Sequence, residues 1–141
     1  MPQSRILIAS NPRALASFVR WLDPDYDVLA VTSLDQARQL LEVESGIALF
    51  LIGAHFDDSQ ALELINVIRS KEQYLTTPLI VVRTMHSEYA DMLKQTFTVM
   101  KTVKGITEYL DFDSEKEAGP TVTEAITRAL KVANMEHLLD A

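Results

Sequence analysis

Two groups of polar side chains in this chain have types and spacing suited to chemistry. His55, Asp57 and Asp58 follow the apolar run Ile47 to Ile52 and Gly53 in the stretch GIALFLIGAHFDD; Arg83, Thr84 and His86 follow a second apolar run, Leu79 to Val82. Asn11 stands in a similar place after Ile6 to Ala9 and Ser10. An imidazole pair with a carboxylate can ligate a transition metal, and paired carboxylates can hold a divalent cation. Loop histidines are more often solvated, and acids just before an amphipathic stretch are more often helix caps. Asp57 and Asp58 are therefore expected to cap, and a metal at His55, His86 and Asp57 is the alternative. Arg83 is placed to neutralise Asp57 or Asp58.

Those groups can meet only if the apolar runs are neighbouring strands. Runs of four to six apolar residues without alternation read as strands buried on both faces, and the loops leaving the carboxyl ends of such strands carry the site in open α/β sheets. The chain alternates such runs with amphipathic segments. Ile6 to Ala9 is a first strand, followed by a helix capped by Asn11 and opened by Pro12, with Leu15, Phe18, Val19 and Leu22 at helical spacing. Tyr26 to Val31 is a second strand, and Ser33 with Gln36 makes a capping box for the helix carrying Leu34, Ala37, Leu40 and Leu41. Ile47 to Ile52 is the third strand. Asp58 or Ser59 is expected to cap a helix with Ala61, Leu64, Ile65 and Ile68 inward. Leu79 to Val82 is the fourth strand, and Ser87 to Lys104 is expected to form a helix, with a β-branched end in TFTVMKTV. ITEYLDF is a fifth, half-exposed strand that runs into the acidic loop DFDSEKEAG. Thr121 and Glu124 form a second capping box after Pro120, opening a long helix with Val122, Ile126, Leu130, Ala133 and His137 on one face.

The 141 residues suit one domain, 1–141, with 134–141 a possible helical extension, and 48% hydrophobic content is enough for a core. Thirteen basic against twenty acidic side chains leave a net charge of −7, which disfavours nucleic acid and anionic membranes and favours basic partners. No cysteine is present, so there is no disulfide and no thiolate chemistry. No signal peptide or apolar run of spanning length occurs, and the expected compartment is the cytoplasm.

Five strands alternating with helices predict a parallel sheet covered on both faces, of the flavodoxin-like class with strand order 2-1-3-4-5. Over Arg5 to about Ala133 the chain resembles the receiver domain of bacterial response regulators, the CheY-like domains. RILIASN matches the family's first strand and acidic pocket, ALFLIGAHFDD its phosphoacceptor strand, PLIVVRT its fourth strand and GITEYLDF its fifth. The resemblance implies a carboxylate acceptor after the third strand, two acids after the first that hold Mg²⁺, a hydroxyl after the fourth and a lysine in the fifth. At those positions this chain has Gly53, Ser10 and Asn11, Arg83 with Thr84 one residue later, and Phe112. Tyr109 matches the family's conformational-reporter aromatic. Every reactive position differs, so the resemblance implies a degenerate pseudo-receiver with no cofactor and no catalysis. Gly53 can equally be a turn glycine.

The expected function is that of a signalling module working by protein contact in a two-component-type system. Its expected partner surface joins Tyr109, Asp111, Asp113, Glu115, Leu130 and His137. A homodimer through the last helix is expected too, because its apolar face runs on to Leu138 with Val132, Met135 and Leu139 near it. The alternative is a small-ligand or metal sensor using the polar strand ends around Asn11, His55, Arg83 and His86.

Overall fold

Consecutive residues of an extended strand point to opposite faces, so a strand with no polar position must lie between two layers. In the computed structural model Ile6 and Ile8 of β1 (Arg5–Ala9) point to one core while Leu7 and Ala9 point to the other. Leu49 and Leu51 are likewise separated from Phe50 and Ile52 in β3 (Leu49–Gly53), and Ile80 and Val82 from Leu79 and Val81 in β4 (Leu79–Arg83). The edge strands β2 (Asp27–Val31) and β5 (Glu108–Asp111) are mostly half-buried. The structure describes residues 3–22, 24–84, 95–96, 98–99, 105–112 and 115–140, with the backbone alone at 115–117 and 136–140.

All strand pairs are parallel, in the order β2-β1-β3-β4-β5. One face is covered by α2 (Leu34–Val43) and α3 (Ala61–Arg69), through Leu34, Ala37, Leu41, Leu64, Ile65 and Ile68. The other is covered by α1 (Pro12–Leu22) and the final helix (Glu115–Asp140), through Ala14, Phe18, Leu22, Val122, Ala125 and Ile126. The flavodoxin-like order read from the alternation is the one observed. Residues 95–96 and 98–99 are helical; the rest of the helix expected between Ser87 and Lys104 lies outside the described residues.

Asn11 caps α1 as its side-chain type predicts, Oδ1 accepting from the Ala14 N–H at 2.8 Å. The predicted start of the final helix is wrong. The helix begins at Glu115 and runs through Pro120, so Thr121 and Glu124 form no capping box and DFDSEKEAG is helical over its second half. Packing overrides the cap signal here. Ala118 is fully buried, and Gly119 lies so close to Trp21 on α1 that an added Cβ would stand 2.9 Å from the indole nitrogen. The Thr123 hydroxyl donates to the Gly119 and Pro120 carbonyls at 3.1 and 3.0 Å, in the turn that the proline perturbs.

At the amino-terminal edge of the sheet, Arg69 joins three segments. Its Nη1 donates to the Tyr74 and Thr77 carbonyls at 2.7 and 2.8 Å, and its Nη2 to the Gly105 carbonyl at 2.9 Å. Burial pulls the guanidinium pKa below its ordinary value. These bonds fix the turn leaving α3, the approach to β4 and the approach to β5 to one cation. Arg69→Met should lower the unfolding free energy by about 2–3 kcal/mol in urea denaturation, because several charge-assisted bonds are lost and the Tyr74 and Thr77 carbonyls stay partly buried. A loss below about 0.5 kcal/mol, the usual surface value, would show that the clamp contributes little.

Candidate functional site

The carboxyl ends of β1, β3 and β4 bring Ser10, Asn11, Gly53, Arg83 and Thr84 to one edge of the sheet. Ser10 is buried at 1% exposure, its N–H donates to the Val31 carbonyl at 3.2 Å, and its hydroxyl has no hydrogen-bond partner among the described residues. Gly53 is the last residue of β3 and is not a left-handed turn glycine; the described glycines with positive φ are Gly46 and Gly105. Its reason is close approach. A Cβ there would lie 3.1 Å from Ser10 Oγ and 3.5 Å from Ser10 Cα, so a side chain at 53 would crowd the Ser10 hydroxyl.

The loop after Gly53 departs from expectation. Phe56 is fully buried in the core under α2 and α3, and after it Asp57, Asp58 and Ser59 take φ of 44°, 52° and 68° in the turn Phe56–Ser59. Left-handed backbone is open mainly to glycine, asparagine and aspartate, which makes the two aspartates the tolerable choice after a buried phenylalanine. They do not cap the helix that follows: α3 starts after Gln60, and no side chain caps it. Asp57 reaches back instead, its Oδ2 accepting from the Leu34 N–H of α2 at 2.7 Å. Ser33 Oγ accepts from the Gln36 N–H at 3.1 Å, and Gln36 Oε1 accepts from the Thr32 N–H at 2.9 Å, so the N-terminus of α2 is satisfied from two directions. Asp57 is thus a cap, as its type suggested, but of the preceding helix.

Arg83 departs from expectation as well. Its guanidinium is 5% exposed and forms an ion pair with Asp111 of β5, not with Asp57 or Asp58. Arg83 and Asp111 are register partners in neighbouring parallel strands, which sets their side chains adjacent. The Phe112 N–H donates to the Arg83 carbonyl at 2.9 Å, and the Phe112 ring packs toward α1 and the final helix. Tyr109 packs on the opposite face, toward α2 and α3. Thr84 is buried.

Asn11, Arg13, Thr32, His55, Asp57 and Asp58 line a groove of about 700 Å³ at this edge. Among the described residues no three His, Cys, Asp or Glu side chains converge as metal ligands; His86 and Asp113 lie outside those residues. Leu130, expected on a partner surface, is partly buried against the core; Glu115 and His137 lie in the final helix. Asp111 is committed to Arg83 rather than solvated in an acidic loop. Sequence reasoning missed that pair, although a lone arginine ending a buried run demands an acid on the next strand.

No protein-family model and no curated protein matches the chain. Solved structures do match. A signal receiver domain of an HD domain-containing protein from Pseudomonas fluorescens is 20% identical with a TM-score of 0.70, covering 96% of this chain and 99% of that one. The fold is that of a receiver domain. The phosphorylated cyanobacterial phytochrome response regulator RcpA superposes with a TM-score of 0.71 at 15% identity, over 92% of this chain and 96% of that one. The receiver domain of a sensor histidine kinase from Pseudomonas aeruginosa, with a magnesium ion in its active-site cleft, superposes with a TM-score of 0.64 at 18% identity, over 93% and 99% of the two chains. No helix among the described residues of this receiver fold is long and apolar enough to cross a membrane.

The geometry at Asp57 separates its two contributions. Asp57→Ala should cost about 1–2 kcal/mol in chemical denaturation, through the lost cap and the left-handed φ, whereas Asp57→Asn, which keeps an acceptor and tolerates that φ, should cost under about 0.5 kcal/mol. Equal losses in the two variants would show that the carboxylate charge, not the cap, is what matters.

Proposed function

We propose that this chain is a non-phosphorylatable receiver module that acts by protein contact in a two-component-type pathway in the cytoplasm. The observation that carries the reading is Gly53. The residue at the end of β3 supplies no oxygen, and Ser10 Oγ stands 3.1 Å from where a Cβ at 53 would lie, so a side chain there would have to displace that hydroxyl by a few tenths of an ångström. Its surroundings support the same reading. Ser10 offers no charge, the Asn11 carboxamide oxygen is bonded to the Ala14 N–H, Arg83 brings a cation paired with Asp111, and Phe112 offers no ammonium group. Phosphoryl transfer at such an edge relies on carboxylates and a divalent ion to neutralise the transferred group's oxygens. Asp57 is no substitute, because its Oδ2 is engaged with the Leu34 N–H.

Acetyl phosphate with Mg²⁺ should give no phosphoryl adduct on a phosphate-affinity gel, and beryllofluoride should leave the amide spectrum unchanged. A stoichiometric adduct abolished by Asp57→Asn or Asp58→Asn would mean that the acceptor has moved one loop along. The groove lined by Asn11, Arg13, Thr32 and His55 favours a second reading, a small-ligand sensor. A rise in melting temperature with Zn²⁺ or a nucleotide would support it.

The contact surface in this proposal includes the end of the final helix. The helix continues for more than two turns beyond Ala129, the last buried residue among those whose side chains are described, and Val132 and Met135 are 50% and 58% exposed on that continuation. Two exposed apolar side chains one turn apart can pair with a second copy of the same helix. Light scattering of the full chain should give a dimer mass that falls to the monomer for Val132→Glu with Met135→Glu, at unchanged thermal stability. A monomeric wild-type chain at the same concentration would leave the helix end as a tail only.

A further inference from the structure

β5 is an edge strand of the sheet, and its two ends are held by different means. It has four residues, all half-buried, and only β4 beside it, whereas β3 and β4 are buried along their whole length. At the amino-terminal end, the Thr107 N–H donates to the Leu79 carbonyl at 2.8 Å and the Leu79 N–H donates to Thr107 Oγ1 at 3.1 Å. Arg69 holds the Gly105 carbonyl, and Arg128 of the final helix pairs with Glu108 at 2.8 Å. At the opposite end, on the carboxyl edge of the sheet, the described contacts converge on Arg83: its guanidinium pairs with Asp111 and its carbonyl accepts the Phe112 N–H at 2.9 Å.

We infer that the Arg83–Asp111 ion pair is a built-in latch that holds the carboxyl end of β5, with Tyr109 and Phe112, in one position against β4. The surface that β5 shares with the final helix is therefore presented constitutively rather than on modification. The inference rests on the reading that no phosphoryl group acts at this end. Three features support it. The Arg83 side chain is almost wholly buried, so releasing Asp111 would take a carboxylate partner from a cation held away from water. Asp57, the acid on the neighbouring loop, already accepts a hydrogen bond from α2, and Asp58 is exposed, so neither competes for Arg83. Tyr109 and Phe112 pack into opposite cores, so any lifting of the strand end disturbs both faces together.

Hydrogen exchange of the full chain, read by mass spectrometry, tests the latch. In the wild type the amides from 109 to 112 should exchange nearly as slowly as those of β4. Arg83→Met should speed them by about tenfold or more while β1 and β3 keep their rates, since only a local opening is released. Asp111→Asn keeps the side-chain volume and should act in the same direction. Unchanged exchange at 109–112, an equal acceleration across β1 and β3, or failure of both variants to fold would overturn the latch, because the pair would then be either idle or a support of the whole sheet. A phosphoryl adduct on the wild type would sink the functional reading alone and leave the exchange result standing.

Discussion

Two-sided burial of the central strands governs the rest of this molecule. Once β1, β3 and β4 have given both faces to packing, polar chemistry has nowhere to sit but the strand ends, where backbone groups also need partners. The two ends have been used differently. The amino-terminal edge is closed by structural bonds from Arg69, each to a backbone carbonyl. The carboxyl edge keeps a groove, and several of its polar groups are committed to helix N-termini and to one ion pair.

In the proposed reading, that commitment of the polar groups is what separates a receiver fold from receiver chemistry. A reactive pocket needs charges held apart and left exposed, so that an incoming group can pair with them. Asn11 and Asp57 are turned instead to the N-termini of α1 and α2, and the buried Arg83 faces Asp111, the acid at the carboxyl end of β5. Ser10 Oγ also crowds the Cβ position of Gly53, at 3.1 Å.

The sheet was legible in the sequence because its signal is redundant: three uninterrupted apolar runs admit only doubly buried strands, and amphipathic segments between them force parallel crossovers. The site was legible in position but not in pairing. Asp57 was read as a cap, yet nothing local shows that Phe56 must bury and so turn the backbone left-handed, which swings the carboxylate toward α2 rather than α3. Arg83 was placed at the right edge and given the wrong partner, since its distance to Asp57 or Asp111 depends on loop path and strand register, neither of which periodicity encodes. The start of the final helix was missed because Ala118 and Gly119 are selected by the facing Trp21 and the core beneath, a constraint from the other end of the chain.

The contact between Trp21 and Gly119 also gives the protein a natural optical gauge. Trp21 is the single tryptophan of the chain; its ring lies 5.1 Å from Phe18, centroid to centroid, with the Gly119 backbone pressed against its indole edge. Its emission therefore reports one joint, where the first helix meets the final one, without background from any other indole. A partner that grips the final helix and shifts it along α1 would change the polarity at that edge, so binding can be followed by colour and intensity on the unlabelled protein.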